Sequence, residues 1–120
     1  MSSARTEFIA WSALPLQQPV AGISGSVQLG NELSAALFRL EPGAEVPRHT
    51  HPNEEFGQVL EGTLELRAGD QTRRLRAGDG FLIPGELPHG ATAGAEGCLL
   101  LECYAPARDP FGGPAKGTNS

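Results

Sequence analysis

All three histidines of the chain stand in one pattern, and that pattern dictates much of the fold: Gly43, His49, His51, Glu55 and Gly62, answered by Gly78, Pro84 and His89. Three imidazoles and one carboxylate at these spacings are a ready ligand set for a divalent metal, and no other histidine exists to build a different site. In an extended strand alternate side chains share a face, so His49 and His51 point the same way. Glu55 returns to that face if the strand resumes after the turn-prone Pro52-Asn53; Glu54, of opposite parity, points to solvent and is its one rival. A His-x-His pair alone would suit a half-exposed polar strand equally well. Glu55, His89 and the framing glycines are what turn the reading towards metal. His89 has to arrive from another strand, because one short ribbon cannot surround an ion on three sides and leave coordination positions open. The chain must therefore curl back on itself.

The punctuation agrees with a curled antiparallel sheet. Sixteen glycines and ten prolines cut the chain into short apolar runs at Ser26 to Leu29, Leu33 to Leu40, Phe56 to Leu60, Thr63 to Arg67, Gln71 to Leu75, Gly80 to Ile83 and Gly97 to Tyr104. Glu61-Gly62 and Gly69-Asp70 read as hairpin turns, and Gly78-Asp79 as the turn before a buried strand. Almost no run is long enough for a helix. The expected fold is all-β, a sandwich or jelly-roll barrel enclosing a pocket. Residues 1–108 are expected to form this one domain. Within it, Phe8, Ile9 and Trp11 supply an edge strand or a strap over apolar surface, and Trp11 reads as a packing anchor. Residues 109–120 read as a loose tail.

Composition removes several classes of function. A chain of 120 residues has room for one domain only. A net charge of −5 argues against a nucleic-acid surface, and the one basic cluster, Arg73, Arg74 and Arg76, reads as the solvated side of a hairpin. No apolar stretch approaches the roughly 20 residues needed to cross a bilayer, and the polar start lacks the apolar core of a secretion signal, so the expected address is cytoplasmic. Cys98 and Cys103 differ by an odd number of positions, face opposite sides of a regular strand and are expected to be reduced, with no nearby base to activate either thiol.

These residues resemble the cupin family. The first cupin motif, G-x5-H-x-H-x3-E-x6-G, is met in full by Gly43, His49, His51, Glu55 and Gly62. The second, G-x5-P-x-G-x2-H-x3-N, is met at Gly78, Pro84 and His89, with Glu86 where the inner Gly is usual and Ala93 where Asn is usual. Both departures lie outside the expected ligands and bear on the loop before His89. The last apolar run and its exit narrow the resemblance to small cupins of the pectin-degradation type, which open the rings of unsaturated uronic acids. Those relatives carry an acid, an aromatic two residues on, and a proline-containing turn with an arginine; Glu102, Tyr104 and Arg108 stand at the matching positions. Two departures remain, since such relatives usually have Gln at the position of Glu55 and Asp at that of Glu102. A Glu ligand adds negative charge to the metal site, which bears on metal preference and on the hold on an anionic substrate.

The resemblance implies a divalent metal, Zn, Mn, Fe, Co or Ni, held by His49, His51, Glu55 and His89. It further implies a small anionic sugar acid as substrate, and a homodimer. Arg108 would clamp the substrate carboxylate, Glu102 would move protons, and Tyr104 would shape the pocket or donate a hydrogen bond. Parity puts Glu102 and Tyr104 on one face with Cys98 and Leu100, but periodicity does not say whether that face or the Leu99, Leu101, Cys103 face lines the barrel. Two other functions fit the same site: an iron-dependent dioxygenase, and a binding or sensing module with no turnover.

Overall fold

Two long strands organise the molecule. In the computed structural model, which describes residues 5–112, these are β5 (Glu54–Ala68) and β8 (His89–Ala105). Around them lie β1 (Gln17–Val20), β2 (Ile23–Leu29), β3 (Ser34–Leu40), β4 (Glu45–His49), β6 (Gln71–Arg76) and β7 (Gly80–Ile83). Every pairing is antiparallel. The first half of β5 lies between β7 and the second half of β8, which continues through β3 and β2 to β1. The second half of β5 lies between β6 and the first half of β8, whose other edge carries β4. Both long strands thus serve two sheets, and the result is the expected all-β jelly roll.

Alternation along the strands builds the core. On β3, Ser34, Ala36, Phe38 and Leu40 are buried while Arg39 is exposed, and Phe38 pairs with Leu100 of β8. Val59, Leu64, Ala93 and Cys98 complete the interior around the bends. On β6 only Leu75 is buried, and Arg73, Arg74 and Arg76 face solvent.

Three local expectations are corrected. Glu61-Gly62 is not a hairpin turn: β5 runs straight through it, and the ladder to β8 instead slips between Val59 and Glu61 and again between Gly62 and Leu64. A bulge satisfies the same positive-φ glycine signal as a turn. The edge strand is Gln17–Val20, not Phe8 to Trp11; Phe8 is 91% exposed and Trp11 opens a short 3-10 turn. Phe111 is not part of a loose tail, since its ring packs on Phe38 with centroids 5.3 Å apart, while 113–120 lie outside the described residues. The expected turns at Gly69-Asp70 and Gly78-Asp79 are present.

Candidate metal centre

β4 ends at His49 and β8 begins at His89, and these two residues are paired across the ladder. His51 lies on the link from β4 to β5 and Glu55 is the second residue of β5, paired with Tyr104. The parity argument holds although His51 is not itself in a strand: Glu55 is 3% exposed, while Glu54 faces solvent. The donor atoms of the three histidines lie within 4.8 Å of one another.

Each ring is fixed by its own neighbourhood. The Nδ1 atoms of His49, His51 and His89 lie 2.9, 3.1 and 2.8 Å from the carbonyls of Pro47, Asn53 and Leu87. A carbonyl only accepts, so each Nδ1 donates, and the neutral ring turns a lone pair on Nε2 towards the common centre. Glu55 Oε1 closes the array at 3.1 Å from His51 Nε2 and 3.3 Å from His89 Nε2. His89 Nε2 is buried with no hydrogen-bond partner. Converging lone pairs repel unless a cation lies among them, so this donor set fits a divalent ion of the imidazole-and-carboxylate type.

Burial works against an ionised Glu55, yet its close contacts with His51, His89 and Glu102 hold its carboxyl well below the usual carboxylate range. Burial likewise opposes a charged His89, but Glu55 and the Leu87 carbonyl outweigh it and raise its pKa. Burial lowers the pKa of His49, and nearby His89, His51 and Arg108 lower it further, which favours the neutral, metal-ready ring.

Beside this cluster opens a cavity of about 380 Å³. Glu102, Tyr104 and Arg108 line it together with His49, Glu55 and His89. The inward face of the last strand is therefore the one carrying Glu102 and Tyr104, while Cys103 on the opposite face pairs with Phe56. The Tyr104 hydroxyl donates to Glu102, and the Tyr104 ring meets His51 edge-on at 5.9 Å. Burial first, then the negative charge of Glu55, pushes the Glu102 carboxyl well above its ordinary value, which favours its neutral form. Burial and the same two acids keep Tyr104 protonated. The Arg108 guanidinium lies over the Tyr104 ring, 5.4 Å from its centroid.

Two positioning residues had no signal in the sequence. Ser34 Oγ donates to the carbonyl of Arg108 at 2.6 Å and accepts from its N–H at 2.8 Å, fixing the start of the arginine from β3. Asn53 gives its carbonyl to His51 and its side-chain amide to the Pro106 carbonyl at 2.6 Å, tying the His51 loop to the exit of β8. Both are long-range contacts, which spacing cannot report. The inner-Gly position of the second motif is also resolved: Glu86 adopts φ +69°, the conformation a glycine would take, and its N–H donates to the His51 carbonyl at 2.8 Å.

A barrel of two shared sheets with a three-histidine cluster at one end defines a class, and residues 36–104 match the family described as Cupin domain. The chain belongs to the cupin family, and within it resembles the small single-domain cupins of the pectin-degradation type. Among solved structures it is similar to KdgF from Halomonas sp., at 27% identity and a TM-score of 0.82 over 88% of this chain and 97% of that one. It is also similar to an RmlC-like cupin from Shewanella frigidimarina, at 26% identity and a TM-score of 0.81 over 89% and 96% of the two chains. Dimethylsulfoniopropionate lyase DddW of Ruegeria pomeroyi is 29% identical over 85 residues, 71% of this chain; the match spans 56% of the lyase. No helix among the described residues is long and apolar enough to cross a membrane.

Proposed function

We propose that this protein is a metal-dependent enzyme that rearranges a small enolisable acid by moving a proton, and that its reaction is the ring opening of an unsaturated uronate. The observation that carries the proposal is the placement of Glu102 between Glu55 of the donor cluster and Tyr104, on a cavity wall that also presents Arg108, where burial favours its neutral form. In this reading His49, His51, Glu55 and His89 hold a divalent ion. When bound, the ion supplies Lewis acidity and a template for the substrate's carboxylate and a neighbouring oxygen.

The remaining chemistry belongs to the chain. Arg108 receives the substrate carboxylate, its backbone fixed by Ser34 and its guanidinium set over Tyr104. Ring opening moves protons without net gain or loss: C4 takes one, the anomeric hydroxyl gives one up, and the bond from C1 to the ring oxygen breaks, leaving a C1 aldehyde and a C5 ketone. A single carboxyl group suffices for both transfers: Glu102 gives its proton to C4 first, and the carboxylate so formed takes the proton of the anomeric hydroxyl as the ring opens. Tyr104 orients Glu102 by donating to it. The apolar remainder of the cavity keeps water from the reacting carbons.

The test is to incubate metal-loaded protein with unsaturated galacturonate and follow ring opening by NMR; substrate left unchanged refutes the reaction. The similarity to a dimethylsulfoniopropionate lyase favours a second reading, in which the same acid and base drive elimination from a carboxylate with a leaving group at its β carbon. Dimethylsulfoniopropionate in the same assay separates the two, since only a lyase releases neutral dimethyl sulfide and leaves acrylate.

A further inference from the structure

The cavity is polar at one end only. All six of its polar lining residues, His49, Glu55, His89, Glu102, Tyr104 and Arg108, belong to the site already described. The ladder shows how abruptly polarity stops. Along the inner face of β8, Tyr104 pairs with Glu55 and Glu102 with Gly57; the next inward residue, Leu100, pairs with Phe38 and Val59. On the other side of the bend Ala91 sits between Val46 and Leu66. Ile23 and Leu40, both buried, and the exposed Pro19 and Val20 add to the apolar lining. A ligand hydroxyl placed against these walls loses its water and gains no partner, whereas a methylene placed there is buried favourably.

We infer that the site takes an anionic acid with an apolar carbon body, its carboxylate and adjacent oxygen at the histidine and Arg108 end and its tail along Leu100, Phe38, Val46 and Leu66. The inference rests on the reading of this cavity as the substrate site and extends its substrate class: a uronate fills the polar end, and acids with an alkyl or aryl tail fill both. A volume of about 380 Å³ is enough for such a tail.

Calorimetry on Zn²⁺-loaded protein with pyruvate, 2-oxobutanoate, 2-oxopentanoate and 2-oxohexanoate tests it, with galacturonate as the hydroxyl-rich comparison. Affinity is expected to rise about fourfold per methylene, roughly 60-fold across the series, and galacturonate to bind more weakly than 2-oxohexanoate. The half-exposed Val46 changed to Asn is expected to shrink the gain per methylene, and His49→Ala to abolish binding of every acid. A flat series, a galacturonate preference, or an unchanged gain in Val46→Asn overturns the apolar-tail inference while His49-dependent binding preserves the site. Loss of His49 dependence overturns both.

Discussion

Glu86 stands where the second cupin motif usually has glycine, and the backbone behaves as though the glycine were there. Its φ of +69° is the left-handed conformation, which costs an L-residue about 1–2 kcal/mol through the clash of Cβ with the following carbonyl. The side chain is exposed, so little packing offsets that cost. Replacing Glu86 by Gly removes the clash but gives the unfolded chain extra freedom, worth about 0.4–1 kcal/mol in the other direction. The expected net gain is about 0.5–1 kcal/mol, a rise in Tm of roughly 2–6 °C for a domain of this size. Urea unfolding of the metal-free protein measures it, with the denaturant slope unchanged. Glu86→Ala is the control, because it removes the same side chain and keeps the strain. If the alanine variant gains as much as the glycine variant, or if glycine gains nothing, the strain argument fails. The N–H of residue 86 still reaches the His51 carbonyl in either variant, so metal affinity is expected to stay within a few-fold of wild type.

Three substitutions at the site should fail in three different ways. His51→Ala is expected to lose metal binding and turnover together, while Arg108→Ala keeps the metal and weakens substrate binding by a few kcal/mol, and Glu102→Gln keeps both and slows turnover roughly 10²–10⁴-fold; metal analysis beside kcat and KM separates them. Burial pushes the Cys98 thiol up to about 11, so at pH 8 an alkylating reagent should leave Cys98 untouched in the folded protein and label it only on unfolding, as mass spectrometry would show. The exposed Phe8 and Leu16 of the N-terminal segment are proposed to strap a second copy in a two-fold dimer; sedimentation as a monomer at micromolar concentration would remove that proposal alone.

Much of this molecule was legible because its site is local. His49, His51 and Glu55 fall within seven positions, and strand parity alone separates the buried Glu55 from the exposed Glu54. His89 could be placed only by requiring a second strand, and the ladder supplies that strand directly opposite His49. What periodicity left open was the last strand, where either face fitted. Packing decides it: Leu100 and Tyr104 are 3% exposed because β3 and β5 flank them, and neither neighbour can be read from the strand itself. Asn53 and Ser34 were invisible for the same reason, since their partners lie 53 and 74 residues away.

The least legible feature is the bend that lets one strand serve both halves of the site. On β8 the odd residues His89, Ala91 and Ala93 face inward before the bend, and the even residues Cys98, Leu100 and Tyr104 after it. On β5 the switch runs from Val59 to Leu64. Without the reversal, the histidine at one end of β8 and the acid at the other would face opposite sides of the sheet. Gly62 and Gly97, both at φ +78°, sit at this switch, and a Cβ on Gly62 would stand 2.0 Å from the Gly97 carbonyl oxygen. Backbone on both sides leaves nothing flexible to move aside. Gly62→Ala therefore carries two costs, about 1–2 kcal/mol for the left-handed conformation and a further 1–3 kcal/mol for prising β5 from β8. Gly43→Ala isolates the first, because Gly43 has φ +74° but nothing within 4 Å of its Cβ position. Chemical denaturation of both variants should show Gly62→Ala the less stable by at least 1 kcal/mol. Equal losses would mean that the close approach at the bend is not what demands glycine there, and the bend would need another explanation.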